Sequence, residues 1–307
     1  MSVIIPVERL GGDAERAIAS VLQQEAPFAF ELIVVSAEPL RLPGETRVTN
    51  VVEPDRNPAT RRNRAASVAT GEVLAFLDDD ATADPRWLAT ACAYLDAHPD
   101  ALAIGGPDPA PPDSSVAELI SDTLLATPWI GSGVACHENR RGVFDVKHAS
   151  DVALVNLFVR RDAFTGFDES IGYIGEDTGL IEEVLQRGRV VYHDGVRVFH
   201  RRRAFPGAYL RQRWRYRVKT GRLLVRGSRA HRRNPKIAAF LAAGAIGILF
   251  APFVAIPYAL LTLILGARVT RLPVRYWPII PIAFAAHHLV YWFGVIYGTA
   301  RALLGRS

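Results

Sequence analysis

The chain has 307 residues, half of them apolar, with 24 glycines, 20 prolines and a formal charge of +5. Such a chain can bury a large core and is not disordered, and its two cysteines are too few for a disulfide framework or a thiolate zinc site. The charge is split: residues 1 to 196 hold 16 Lys/Arg against 31 Asp/Glu, while residues 197 to 307 hold 20 Lys/Arg and no acid, so an acidic globular part and a basic apolar part are read separately.

Residues 2 to 7, SVIIPV, form a β-branched run that reads as a buried strand. Residues 13 to 24 carry helical apolar spacing, Glu31 to Ser36 make a second buried strand, Arg61 to Ala69 a helix, and Val73 to Leu77 a third strand. This alternation predicts a parallel sheet covered by helices, a nucleotide-binding half whose site lies at the carboxyl ends of the strands. Pro6, Glu8, Ser36 and the residues after Leu77 are expected to converge there. Neither a Walker lysine loop nor a GxGxxG turn follows the first strand, which disfavours P-loop and dinucleotide enzymes. Met1 leads directly into that strand, so the acidic part is expected in the cytosol.

Immediately after the third strand come Asp78, Asp79 and Asp80. Adjacent carboxylates repel unless a cation lies among them, and an oxygen-only donor set suits Mg²⁺ or Mn²⁺. The competing reading is a helix start, with Asp84 as cap and Pro85 at the first helical position. It accounts for Asp84 but not for three acids closing a buried strand.

Arg197 to Lys236 carries fifteen Lys/Arg and no acid. Tyr209, Leu210, Trp214, Val218 and Leu224 interleave there with Arg211, Arg213, Arg215, Arg217, Lys219 and Arg222, the pattern of a helix lying on an anionic leaflet. Two apolar stretches follow, so membrane lipid rather than nucleic acid is the expected polyanion. Ile237 to Gly266 runs thirty residues without a charge and Trp277 to Thr299 another twenty-three, against the ~20 needed to span a bilayer. Thirty residues of straight helix would measure ~45 Å, and Pro252 and Pro257 interrupt its hydrogen bonding, so the first stretch is either one kinked span or a re-entrant hairpin. Two spans with both ends cytoplasmic are the first expectation. His287 and His288 fall mid-span and are expected at a helix or subunit interface, and the spans allow a homo-oligomer.

The motifs together resemble the family 2 glycosyltransferases, over residues 2 to about 220. FLDDDATADPRWL is similar to that family's strand-ending DxD segment, RRNRAASVATGEVLAFL to the Arg-Asn helix before it, and DAFTGFDES with GYIGEDTGLIEEVLQRG to its GGFDE and ED segments. The resemblance implies an α/β GT-A fold, a Rossmann-like mixed sheet of the nucleotide-diphospho-sugar transferases, followed by C-terminal transmembrane helices. It places Asp78 on the nucleoside ribose with Asp79 beside it, Arg62 near the nucleotide, and Asp80 with His200 on the metal. Asp177 is the implied base, with Glu176 beside it to orient the acceptor. Trp129, in a Pro-Trp-Ile-Gly-Ser-Gly stretch, is an acceptor-side candidate or part of the core. The sequence departs from the family where Ser36-Ala37-Glu38 replaces acids after the second strand, where Thr165 replaces a glycine, and where Gly179 replaces an acid. QxxRW is absent, which disfavours processive polymerisation.

The expected organisation is a cytosolic catalytic domain at 1–204, a basic interfacial segment at 205–236 and a membrane domain at 237–307 with about two spans, in the cytoplasmic (inner) membrane. The expected activity is an inverting transfer from a nucleotide-diphosphate sugar to a polyprenyl-diphosphate-linked saccharide. The alternatives are a polyprenyl-monophosphate glycosyltransferase and a non-catalytic membrane scaffold that retains the fold.

Overall fold

The computed structural model describes residues 1 to 41, 47 to 132, 134 to 170, 176 to 226 and 235 to 305. They form two units, Met1–Pro111 with Val134–Arg201, and Pro112–Gly133 with Arg202–Ser307. The second unit thus begins at Arg202 and also takes a helical segment from the middle of the expected catalytic domain.

In chain order the elements are β1 (Ser2–Val7), α1 (Gly12–Leu22), β2 (Glu31–Ser36), β3 (Val48–Val52), α2 (Pro58–Val68), β4 (Val73–Leu77), β5 (Ala81–Ala83), α3 (Trp87–Ala97), β6 (Ala101–Gly105) and α4 (Val116–Ala126). There follow β7 (Val143–Asp145), β8 (Asn156–Arg160), α5 (Glu176–Arg187), β9 (Arg189–His193), β10 (Val198–His200), α6 (Gly207–Arg226), α7 (Pro235–Leu249), α8 (Ala251–Ala267) and α9 (Ile279–Leu303).

The first unit is built on an eight-stranded sheet in the order β3-β2-β1-β4-β8-β6-β9-β7. The half from β3 to β4 is parallel, as the alternation of strands and helices predicts. The other half is mixed, because β8 runs antiparallel to both β4 and β6. Period-two alternation divides β1 between the two faces: Val3, Ile5 and Val7 pack with Ala14, Ala17, Ile18 and Val21 of α1, and Ile4 packs with Ala59, Ala65 and Ala66 of α2. Both faces are covered, which is why β1, β2 and β4 read as unbroken apolar runs. Asn57 starts α2 by accepting the Ala59 N–H at 3.1 Å, with Pro58 at the first helical position. Asp84 is not a cap in this sense: its carboxylate accepts the Arg86 N–H at 3.1 Å in a turn ahead of α3.

In the second unit, α4 begins with a capping box between Ser115 and Glu118. Its buried Asp122 accepts from Arg202 Nε at 3.0 Å and faces Arg271 at 3.6 Å. Ile120 and Leu124 of α4 share a core with Tyr209 of α6 and with Ile280 and Phe284 of α9. The thirty-residue apolar stretch is not one helix. It breaks at Phe250 into α7 and α8, of 15 and 17 residues, and among the described residues α9 is the one helix long and apolar enough to cross a membrane. The two expected spans are corrected accordingly.

In the basic segment, α6 packs Tyr209, Trp214 and Val218 on α9. Tyr209 is fully buried with its hydroxyl 2.8 Å from His287 Nδ1, and Trp214 meets the Tyr297 ring at 5.6 Å. A Cβ on Gly298 would lie 2.1 Å from the Val218 carbonyl and one on Gly221 would lie 2.2 Å from that of Val295. Only hydrogen fits at that approach, the geometry that small residues four apart permit between helices. The Gly294 and Gly298 face, the one best shaped for an oligomer, is therefore taken by α6 within the chain. His288 donates from Nε2 to the Ile130 carbonyl at 2.8 Å and meets the Tyr258 hydroxyl at Nδ1, also at 2.8 Å. Both mid-helix histidines thus make polar contacts between helices, as their positions suggested.

Candidate active site

β1 and β4 are parallel neighbours, and their carboxyl ends bring Glu8 to Asp79: the Glu8 N–H donates to Asp79 Oδ2 at 3.3 Å. Glu8 is ion-paired to Arg61 of α2 at 3.0 Å and to Arg56 at 3.5 Å. The next residue of α2, Arg62, pairs with Asp78 Oδ1 at 2.7 Å. Arg61 and Arg62 are both buried, so the first turns of this helix set two cations under the carboxylate cluster. Arg61 escaped the sequence reading, although its place beside Arg62 is the signal.

Asp78, Asp80 and His200 each offer one ligand atom, and these lie within 4.8 Å of one another. His200 arrives because β10 pairs antiparallel with β5, placing His200 opposite Ala81. Its Nε2 is 3.2 Å from Asp80 Oδ1 and its Nδ1 is 3.4 Å from Asp108 Oδ2. Asp108 is fully buried and accepts at its other oxygen from His137 at 2.8 Å. The imidazole is thus held between two carboxylates, with Asp108 behind it as an outer partner. Asp108 and His137 were not legible beforehand: Gly105-Gly106-Pro107-Asp108-Pro109 reads as loop, and its tight packing appears only in the fold. A Cβ on Gly106 would lie 2.0 Å from the Val196 carbonyl, and buried Asn156 ties the loop down by donating to the carbonyls of Pro107 and Val196.

Asp79 is not in the three-atom group. Burial first, then the charges of Asp80 and Asp78, push its carboxyl up to about 6, against a lowering by the Glu8 N–H. Two carboxylates and an imidazole suit Mn²⁺ or Mg²⁺, so the residues present fit the ion that the sequence implied.

The remaining predicted residues are distributed differently. Pro6 is in β1, paired with Val35. Ser36 ends β2 but is closed off: it is buried, donates to the Glu38 carbonyl at 2.7 Å and accepts from Asn50 at 3.0 Å. Glu176 and Asp177 open α5, and their side chains lie outside the described residues. The segment before them is fixed to α2, where Asn63 accepts the Phe167 N–H at 2.8 Å and donates to the Phe167 carbonyl at 2.9 Å. Trp129 belongs to the second unit; it is 86% exposed with φ 67°, so it is not core.

The mixed sheet with its acids at the end of a central strand is the architecture of the GT-A glycosyltransferases. The chain belongs to glycosyl transferase family 2, whose model matches residues 2–164. It is 28% identical over 157 residues to a glucosyl-dolichyl phosphate glucuronosyltransferase of Haloferax volcanii. That match takes in 47% of this chain and 44% of the relative, so the chain spans less than half the length of that protein. Among solved structures it is similar to the mannosyltransferase PcManGT of Pyrobaculum calidifontis in complex with GDP-Man and Mn²⁺. The likeness covers 100% of this chain and 87% of that one, with a TM-score of 0.54 and 19% identity, and it establishes the fold.

Proposed function

We propose that the protein transfers a sugar, with inversion, from a nucleotide-diphosphate sugar to a saccharide carried on a polyprenyl phosphate or diphosphate at the cytosolic face of a membrane. The observation that carries this reading is the convergence of Asp78, Asp80 and His200 at the carboxyl end of the sheet's central strand. The Mn²⁺ and GDP-Man named for the solved relative support the donor class, and the dolichyl-phosphate-linked sugar named for the curated relative supports a lipid-borne acceptor.

Asp78, held by Arg62, binds the nucleoside, and Asp80 with His200 would hold Mn²⁺ or Mg²⁺. Such a cation would supply positive charge against the departing diphosphate. Asp177 accepts the proton of the attacking acceptor hydroxyl; as the second residue of α5 it is at a helix N-terminus, where the dipole keeps a carboxylate ionised. Glu176 orients the acceptor. The basic and apolar second unit keeps the enzyme at the surface where a lipid-linked substrate diffuses. Ser36, buried and engaged by the Glu38 carbonyl and Asn50, is withdrawn from base recognition in this scheme.

The test is incubation of the purified protein in detergent with a panel of sugar nucleotides and with polyprenyl phosphate- and diphosphate-linked saccharides, with Mn²⁺ or with EDTA. Transfer of one sugar to a lipid-borne saccharide in the Mn²⁺ samples is expected. With bare polyprenyl phosphate as a further acceptor in the panel, product on it alone would instead make this a lipid-charging enzyme, and no transfer to any acceptor would favour the scaffold.

A further inference from the structure

We propose that the second unit is monotopic: α7, α8 and α9 are held in a single leaflet of an anionic bilayer, and no helix crosses it. The inference rests on the membrane reading above and adds the mode of attachment.

The argument begins with what lies beside α9, the helix whose length and hydropathy allow a span. From Tyr209 against His287 to Gly221 against Thr299, α6 runs alongside and parallel to α9, and both of these hydrogen-bonded pairs are 78 positions apart. The exposed Arg211 and Arg215 of α6 are therefore level with residues 289 and 293, the middle of α9. An α9 that crossed a bilayer would carry both guanidinium groups towards the hydrocarbon midplane, where a lipid-exposed charge is costly and rare. At the other end α9 is covered by α4, through Ile120 and Leu124.

What α9 leaves uncovered is one stripe along its whole length: Ile282, Leu289, Phe293, Ile296 and Leu303 are all exposed. A lengthwise stripe bordered by a cationic helix is the pattern of a helix lying in the interface plane. α8 shows the same, with Phe253, Ile256, Leu260 and Ile264 exposed on one face. At 15 and 17 residues, α7 and α8 are ~22 and ~25 Å long, short of a ~30 Å hydrocarbon core. Contacts with α9 also fold α8 back: Gly266 meets Ile280 while Tyr258 meets His288, so α8 runs antiparallel to α9. The occupant of these stripes is a lipid leaflet, and an anionic one, because among the described residues α6 bears six Lys/Arg between Arg211 and Arg222 and no acid.

The test is thiol accessibility in sealed, cytosolic-side-out membrane vesicles containing the full chain with Cys92 replaced by Ser, leaving buried Cys136. Single variants Glu15→Cys, Val274→Cys and Leu304→Cys are treated with a membrane-impermeant maleimide. Glu15 marks the side carrying the first unit; Val274 and Leu304 are exposed residues flanking α9. Labelling of the two flanking positions within twofold of the Glu15 variant is the expected result. Protection of Leu304→Cys until the vesicles are opened by freeze–thaw, with Val274→Cys reactive throughout, would show a crossing α9 and overturn the inference. Release of the whole protein from the vesicles by a salt wash would overturn the membrane reading itself, and this inference with it.

Discussion

Asp79 concentrates the electrostatic strain of the site, because its carboxyl is pushed up to about 6 by burial and by the neighbouring Asp80 and Asp78. Above that pH three carboxylates must be charged together, and the folded state is weakened relative to an unfolded chain in which they separate. Asp79→Asn keeps an acceptor for the Glu8 N–H while removing one charge. It should raise the melting temperature of the EDTA-treated protein by ~2 °C or more, with a smaller gain in Mn²⁺. Asp80→Ala removes both a proposed ligand atom and the 3.2 Å contact to His200. The backbone carbonyl of residue 80 still accepts from the Arg201 N–H at 3.0 Å, so the strand end keeps its anchor. Mn²⁺ affinity, read by electron paramagnetic resonance of the free ion, should fall by ~100-fold with the circular dichroism unchanged. For Asp177→Asn the expected split is an unchanged donor affinity and a turnover lower by ~100-fold or more; retained turnover would assign the proton to another acid.

Among the elements, the glycine contact between α6 and α9 makes the sharpest demand. Gly298→Val forces a branched side chain onto the Val218 carbonyl, 2.1 Å from where its Cβ must stand. The helices must separate, at a cost of ~1–3 kcal/mol, and thermal unfolding in detergent should show the loss. Gly247→Ala, where nothing lies within 4 Å of the added Cβ, should not lower the melting temperature and should raise it slightly, because alanine favours the helix. The elements also divide by legibility. β1, β2 and β4 could be read because they are buried on both faces and carry nearly unbroken apolar runs. β3 could not: VTNVV is a half-exposed edge strand, and its Asn50 is spent on Val34 and Ser36 rather than on any repeating pattern. The same limit hid Asp108, whose importance comes from a close approach of two loops at Gly106, a contact with no local sequence signature. Hydropathy alone likewise counted spans from uncharged length, whereas what surrounds α9 is set by the register of α6.

Across the whole molecule, the sequence's division into an acidic and a basic part does not coincide with the two units, because the second unit takes in Asp113, Glu118 and Asp122. The first unit supplies the Asp78, Asp80 and His200 group at the end of a parallel half-sheet, and the second supplies cations and exposed apolar stripes. The central claim is that Asp78, Asp80 and His200 hold a cation on a nucleotide-diphosphate sugar. It is tested most directly by calorimetric titration of the full-length protein in detergent with GDP-, UDP- and dTDP-sugars, each with Mn²⁺ and with EDTA. The account predicts that at least one donor binds with Mn²⁺ and that EDTA weakens that binding by ~100-fold; donor binding of equal strength in EDTA would contradict it.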